Sequence, residues 1–157
     1  VEAGTDDVGL LVTEFRMGES SFGVDARVVL EVVKMGEVTC VHGAPAAVIG
    51  IRNLRGRIVT LVDLAEHIGV GSVRPGPDNR VLILEDRGEP YGFLVDSVSG
   101  AIALDGDNLE SPPASLDAAL RGRLRGVWRE TDHLIAILDP AALFIWDASA
   151  LRPERFT

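Results

Sequence analysis

Three histidines, one cysteine and a recurring set of aspartates are the residues here with chemistry to offer. His42, His67 and His133 stand far apart and form no HxxxH-type metal spacing, so each reads as a surface or loop residue. Asp25, Asp63, Asp96 and Asp139 fall at strand ends in similar contexts. Recurrence at such points favours capping and turn roles over paired acid–base catalysis. Cys40, in Val38-Thr39-Cys40-Val41, reads as a small apolar residue; being alone, it excludes an internal disulfide. No GxSxG elbow, P-loop or GxGxxG is present. The glycine-rich Gly69–Gly76 stretch lacks lysine and precedes a strand, so it is no phosphate cradle. Arg121, Arg123, Arg125 and Arg129 read as a solvated face, with an anion or protein contact as the alternative. The expectation is a protein that is not an enzyme, with no cofactor and no metal.

The element that stands out is instead a hairpin, Gly50–Gly69. Gly50–Leu54 is one arm and Arg57–Val62 the other, rich in β-branched residues. Arg55-Gly56 forms the tip, with glycine where a turn needs positive φ. Asp63 stands as N-cap to a short helix Leu64–Ile68, and Gly69 as its C-cap. An apolar hairpin tipped by Asn53 and Arg55 suggests a surface offered to a partner.

With 157 residues the chain forms one domain or two small ones, long enough to bury about 70% of its unfolded surface. The net charge of −9 disfavours nucleic acid or an anionic membrane as partner, since both require a basic face. No apolar run approaches the ~18 residues of a membrane span, and no secretory signal is visible. Together with the single cysteine, this makes a reducing cytoplasm the expected compartment.

In chain order, residues 1–9 are small and acidic, expected as a loose terminus. Leu10–Arg16 and Ser21–Asp25 read as strands around a Gly18-Glu19 turn. Val28–Lys34 reads as strand or short helix, and Val38–Val41 as another short strand. Residues 71–79 carry two prolines and two glycines and form the expected linker. Strands resume at Arg80–Glu85, Tyr91–Val95 and Asp96–Leu104; Leu116–Leu120 allows one helical turn. Leu124–Arg129 and Leu134–Leu138 form a last hairpin, followed by a helix over 141–157 that frays.

Gly50–Ile68 overlays Gly126–Phe144 without a gap at an offset of 76. Gly18-Glu19-x-x-Phe22-Gly23 matches Gly88-Glu89-Pro90-Tyr91-Gly92 more loosely. The chain therefore reads as two units of about five short strands, each suited to a small closed barrel. Leu134–Leu138 is apolar on both faces, so its outer face must be covered by the other barrel, by a helix or by a partner.

These motifs in this order resemble the CheW family, the coupling proteins of bacterial chemotaxis-type signalling. The resemblance runs from about Leu10 to Trp146. Its most specific part is Gly50-Ile51-Arg52-Asn53-Leu54-Arg55-Gly56 with Ile58–Leu64, similar to the family's G-x-x-N-L-R-G signature. Phe22–Asp25, Val28–Val33 with Glu31, and Gly92–Val98 fit the same pattern. The resemblance implies an all-β fold of two SH3-like five-stranded β-barrels with short helices and a C-terminal helical segment. The first barrel would span about 10–70 and the second about 80–140.

The implied function is that of a non-enzymatic adaptor coupling chemoreceptors to a CheA-type histidine kinase, in the bacterial cytoplasm at receptor arrays. Its partners would be the kinase regulatory domain, docking on the first barrel, and the cytoplasmic tip of a chemoreceptor, held in a groove between barrels. By motif match, Glu31 and Arg55 form a pair on the binding surface, with Val29, Gly50, Asn53, Leu54 and Gly56 around it. Val95 and Val98 supply the second barrel's share of the groove. The second unit departs from the pattern, carrying Arg129-Glu130-Thr131-Asp132 at the tip, so the two barrels should not bind alike. Trp128 and Trp146 have no implied role beyond packing. Two alternatives stand beside this reading. One is the same domain within a larger protein, such as the kinase regulatory domain or a receiver fusion. The other is a small-barrel nucleic-acid binder using Trp128 and the Arg121–Arg129 cluster.

Overall fold

The computed structural model describes residues 9–146, which form eleven strands and little helix. Hairpin β1 (Gly9–Met17) and β2 (Ser20–Asp25) is followed by a 3-10 turn, Ala26–Val28, and by β3 (Glu31–Val33). β4 (Val48–Leu54) and β5 (Arg57–Asp63) form the hairpin read from sequence, and α1 (Leu64–Ile68) follows. β6 (Arg80–Asp86), β7 (Glu89–Val95) and β8 (Ser97–Asp105) lead through a second 3-10 turn to the two-residue β9 (Leu109–Glu110). α2 (Ala118–Arg121), β10 (Leu124–Glu130), β11 (His133–Leu138) and a 3-10 turn, Pro140–Phe144, complete the order. The segment 38–41 is no strand; Thr39 alone bridges Ile51, with both backbone bonds at 2.8 Å. Of the C-terminal helix expected over 141–157, residues up to Phe144 form 3-10 structure. The rest of that stretch, from 147, lies outside the described residues, as do residues 1–8 of the terminus expected to be loose.

The two sheets do not follow the sequential halves 10–70 and 80–140. One is ordered β3-β6-β7-β5-β4 and is contiguous in sequence; the other, β8-β1-β2-β11-β10-β9, takes strands from both ends of the chain. Each unit of the repeat thus lends its first hairpin to the other's sheet. The cause lies in the short connections. Only Asp96 separates β7 from β8, fewer than the two residues a tight hairpin needs, so the chain runs on into the second sheet and pairs with β1. At the matching point Asp25 accepts from Arg27 N (2.9 Å) and caps the first 3-10 turn, and Leu30 N already bonds Ile83 O across the divide (2.8 Å). The exchange leaves equivalent parallel pairings, Thr60 opposite Tyr91 and Ala136 opposite Phe22.

The recurring aspartates hold these joints. Asp63 Oδ1 accepts from Glu66 N (3.1 Å) and Asp139 Oδ1 from Ala141 N (3.1 Å), each starting a helical turn. Asp63 also accepts from Val73 N (3.1 Å), which pins the linker to α1. Asp96 Oδ2 accepts from Gly18 N (2.6 Å) and ties the crossover to the β1–β2 turn.

Val12, Leu104, Trp128, Ile135 and Ile137 fill the split sheet's interior. Trp128 is buried there, and its Nε1 donates to Asp105 O (2.9 Å). A larger buried cluster joins Phe15, Phe22 and Leu138 of that sheet to Val62, Leu82 and Phe93 of the other, so the outer faces of the two sheets cover each other along this seam. Complete burial of such a side chain contributes about 1.5–3 kcal/mol.

Candidate protein-binding site

The β4–β5 turn is built by its own residues. Arg55 (φ 51°) and Gly56 (φ 87°) are both left-handed, as a type I′ turn requires. Asn53 Oδ1 fixes the turn by accepting from Gly56 N (2.8 Å). Glycine meets that geometry freely; Arg55 bears a cost of about 1–2 kcal/mol for it. Arg87 and Thr131 hold the same conformation at the tips of β6–β7 and β10–β11, so it belongs to the turn, and what sets Arg55 apart is its partner.

From this turn, arginines reach to the rest of the sheet. β3 and β4 are its two edges, with three strands between them. Arg55 Nη2 nevertheless pairs with Glu31 Oε2 of β3. Arg52 Nη1 donates to the carbonyls of Lys34 (2.6 Å) and Met35 (3.1 Å), just past β3. Its guanidinium lies where a side chain at Gly36 would stand, which explains glycine at that point. Arg57 bonds Glu85 Oε2 (2.8 Å) and Gly88 O (2.7 Å) of the β6–β7 hairpin. The sheet therefore closes on itself, and the Glu31–Arg55 pair lies on the closure.

Glu31, Leu54 and Arg55 line one surface hollow of about 190 Å³ with Leu30, Ile83 and Pro90. Leu30 is 56% exposed, a large aliphatic surface left next to charge; Ile58, equally exposed, does not line the hollow. Such a mixture is what a protein contact desolvates.

The other expected site residues have different fates. Val29 is half-buried against the core and closes the first 3-10 turn. Gly50 sits at a register shift where a side chain would strike the Thr39 carbonyl, so it is scaffold. Val95 is wholly buried at the end of β7, a correction to its assignment as a contact residue, because it has no surface to offer. Val98 is half-buried opposite Phe15 in the other sheet, and neither valine lines the hollow. Sequence reasoning missed Leu30 as an individual contact candidate.

The arginine cluster is not one face. Arg123 is buried, and its Nη1 donates to Ala142 O (2.7 Å) and Ile145 O (3.2 Å), the last carbonyls of the C-terminal turn. Burial pushes its pKa down. Arg129 pairs with Glu110, and Arg121 bonds Leu116 O. With Trp128 also buried, only Arg125 of the cluster is exposed without a side-chain hydrogen bond among the described residues, which leaves little for a nucleic-acid interface to rest on. His67 is no surface residue either. Its Nε2 donates to Leu143 O (2.8 Å), and its ring lies tilted against Trp146 at 4.6 Å between centroids. Burial and the Arg123 charge hold its pKa at about 4, so it is neutral. Cys40, read as apolar packing, is exposed.

The model of the CheW-like domain matches residues 11–147. The chain is 30% identical to the chemotaxis protein CheW of Treponema pallidum over 146 residues, covering 90% of this chain and 85% of that one. Against the protein FrzA of Myxococcus xanthus it is 30% identical, with 78% and 76% covered. The crystal structure of the scaffolding protein TtCheW from Thermoanaerobacter tengcongensis superposes with a TM-score of 0.78 at 30% identity, over 88% of this chain and 90% of that one. Its two sheets are accordingly SH3-like barrels, and the chain belongs to the CheW-like domain family.

Proposed function

We propose that this protein is a non-enzymatic adaptor that couples chemoreceptors to a CheA-type histidine kinase in a bacterial chemotaxis-like pathway. The barrel spanning residues 31–95 docks the kinase regulatory domain, and a receptor tip engages the seam between barrels, at receptor arrays on the cytoplasmic side. The observation that carries the site is the Glu31–Arg55 pair. It lies on a hairpin tip whose Asn53-Leu54-Arg55-Gly56 sequence the other unit of the repeat lacks, beside exposed Leu30. An exposed pair of this kind contributes only ~0–1 kcal/mol to stability. Its worth is in orientation and partner choice.

The test is calorimetric titration of the protein with the isolated regulatory domain of a CheA-type kinase. Binding that Arg55→Glu weakens at least about thirtyfold supports both function and site. Wild-type affinity in the variant rejects the site, and no binding by the wild type rejects the kinase partner.

A further inference from the structure

Where β1 starts and β2 ends, the split barrel is open. A hollow of about 330 Å³ lies there, reaching Val12 and Ile137 of that barrel's buried core and walled by Leu10, Leu11 and Ala103. Two arginines share this mouth with one carboxylate. Arg27 donates from Nε (3.0 Å) and Nη2 (2.7 Å) to Asp25, and its Nη1 has no hydrogen bond among the described residues. Arg125 is exposed and makes no side-chain hydrogen bond among them either. Its charge is felt at Asp25, whose carboxyl is held below the usual range by the Arg27 hydrogen bonds first and more weakly by Arg125. Asp105 pairs with Gly9 nearby but does not line the hollow, and its carboxylate accepts from Asp107 N (2.9 Å). The mouth is therefore left with a surplus positive charge, in a chain whose net charge is −9.

The repeat shows that the fold does not ask for this charge. Arg125 stands in the register shift between Leu124 and Gly126, and Ile49 stands in the matching shift between Val48 and Gly50, at the offset of 76. Ile49 packs against the buried core, so the same bulge accepts an aliphatic residue in the contiguous barrel. Mouths of β-barrels are among the places where small molecules bind, in sites from about 300 Å³ upward with apolar walls and a few polar groups. We propose that this mouth binds a small aliphatic carboxylate, its oxygens on Arg125 and on Nη1 of Arg27 and its chain against Leu10, Leu11 and Ala103. A guanidinium offers parallel N–H donors that match a planar carboxylate. A neutral ligand would leave the surplus charge unanswered. At a water's share of about 30 Å³ per heavy atom, the hollow has room for about ten such atoms, the size of octanoate. The site shares no residue with the Glu31–Arg55 hollow and does not depend on a kinase docking there.

The probe is sodium octanoate, titrated into the whole protein and followed by amide chemical shifts. Saturable binding with shifts at Leu11, Arg27, Ala103 and Arg125 is expected. Arg125→Ile, which installs the residue its twin carries, and Leu11→Glu, at a position 50% exposed, each weaken it at least about tenfold, with scanning calorimetry showing both variants folded. Octanol and octylammonium, which have the chain without the anion, bind at least about tenfold more weakly than octanoate. Added salt weakens octanoate binding to the wild type. No saturation up to about 10 mM overturns the proposal. So does equal binding of octanol and octanoate, which would make the hollow merely apolar, or an affinity that Arg125→Ile leaves unchanged. Binding that emerges only once Asp6→Asn and Asp7→Asn are made would name the chain's own acidic residues as the occupant and overturn the reading of a free ligand.

Discussion

Reversing the Glu31–Arg55 pair separates closure of the barrel from recognition by it. Two unit charges at 4 Å interact by about 4 kcal/mol at an effective dielectric of 20. These side chains are 66% and 36% exposed, which screens the pair to about 0–1 kcal/mol. Arg55→Glu replaces attraction by a repulsion of similar size, so stability falls by about 1–2 kcal/mol. For a chain this long that is a fall in Tm of about 2–8 °C. A partner that covers the pair changes the scale, because truncating one member of a desolvated charge pair costs about 2–5 kcal/mol, at least thirtyfold in Kd. The exchange Glu31→Arg with Arg55→Glu restores attraction and should return Tm to within about 1–2 °C of wild type. It presents the partner with inverted polarity, so kinase-domain affinity should stay low. Scanning calorimetry and titration on the single and double variants give both readouts. Recovery of affinity along with Tm in the double variant would refute the reasoning, since the pair would then matter only for holding β3 to β4.

Three further outcomes follow from the joints of the fold. His67 is neutral when folded, with its pKa lowered to about 4 from 6.5, so the unfolded chain binds the extra proton and stability rises with pH between those values. The gap corresponds to about 3 kcal/mol, reduced to about 1–2 by the ring's partial exposure; urea midpoints of wild type and His67→Gln should therefore converge as pH falls from 7 to 4. Arg123→Met strands the carbonyls of Ala142 and Ile145 and should cost about 2–4 kcal/mol, seen as a urea midpoint lower by about 1–2 M. Gly50→Ala drives a methyl into the Thr39 carbonyl and breaks the Thr39–Ile51 bridge; a loss of about 1–3 kcal/mol is expected, with earlier hydrogen exchange at the amides of Thr39 and Ile51.

The fold class was legible because strand signals are local: β-branched runs, glycine at the turns, aspartate at the caps. The duplication was legible too, since Gly50–Ile68 and Gly126–Phe144 keep one spacing. Which hairpin joins which sheet was not. A repeat has the same pattern whether each unit closes on itself or lends its first hairpin to the other, and the choice rests on a one-residue link at Asp96. The fate of Arg123 was hidden for a different reason. Arginine is almost never fully buried unless paired, and its partners here are carbonyls about twenty residues away.

Legibility of the site has its own limit, which Arg87 makes plain. Arg87-Gly88 ends the β6–β7 hairpin just as Arg55-Gly56 ends β4–β5, and both arginines are left-handed, at φ 54° and 51°. Read as motifs, the two tips are the same. Yet Arg87 makes no side-chain hydrogen bond among the described residues, while Arg55 meets Glu31. The difference is position in the sheet. β6 and β7 lie inside it, and what reaches their tip is another cation, Arg57 on the Gly88 carbonyl, with no carboxylate for Arg87 to pair with. β4 is an edge that curls around to the other edge, where β3 supplies Glu31 and Arg52 fixes β3 in place through Lys34 and Met35. A turn sequence can thus specify a tip, but a charged pair at that tip needs the barrel to close. The site inherits its geometry from the closure, and loosening Arg52 should disturb Glu31–Arg55 without touching either residue.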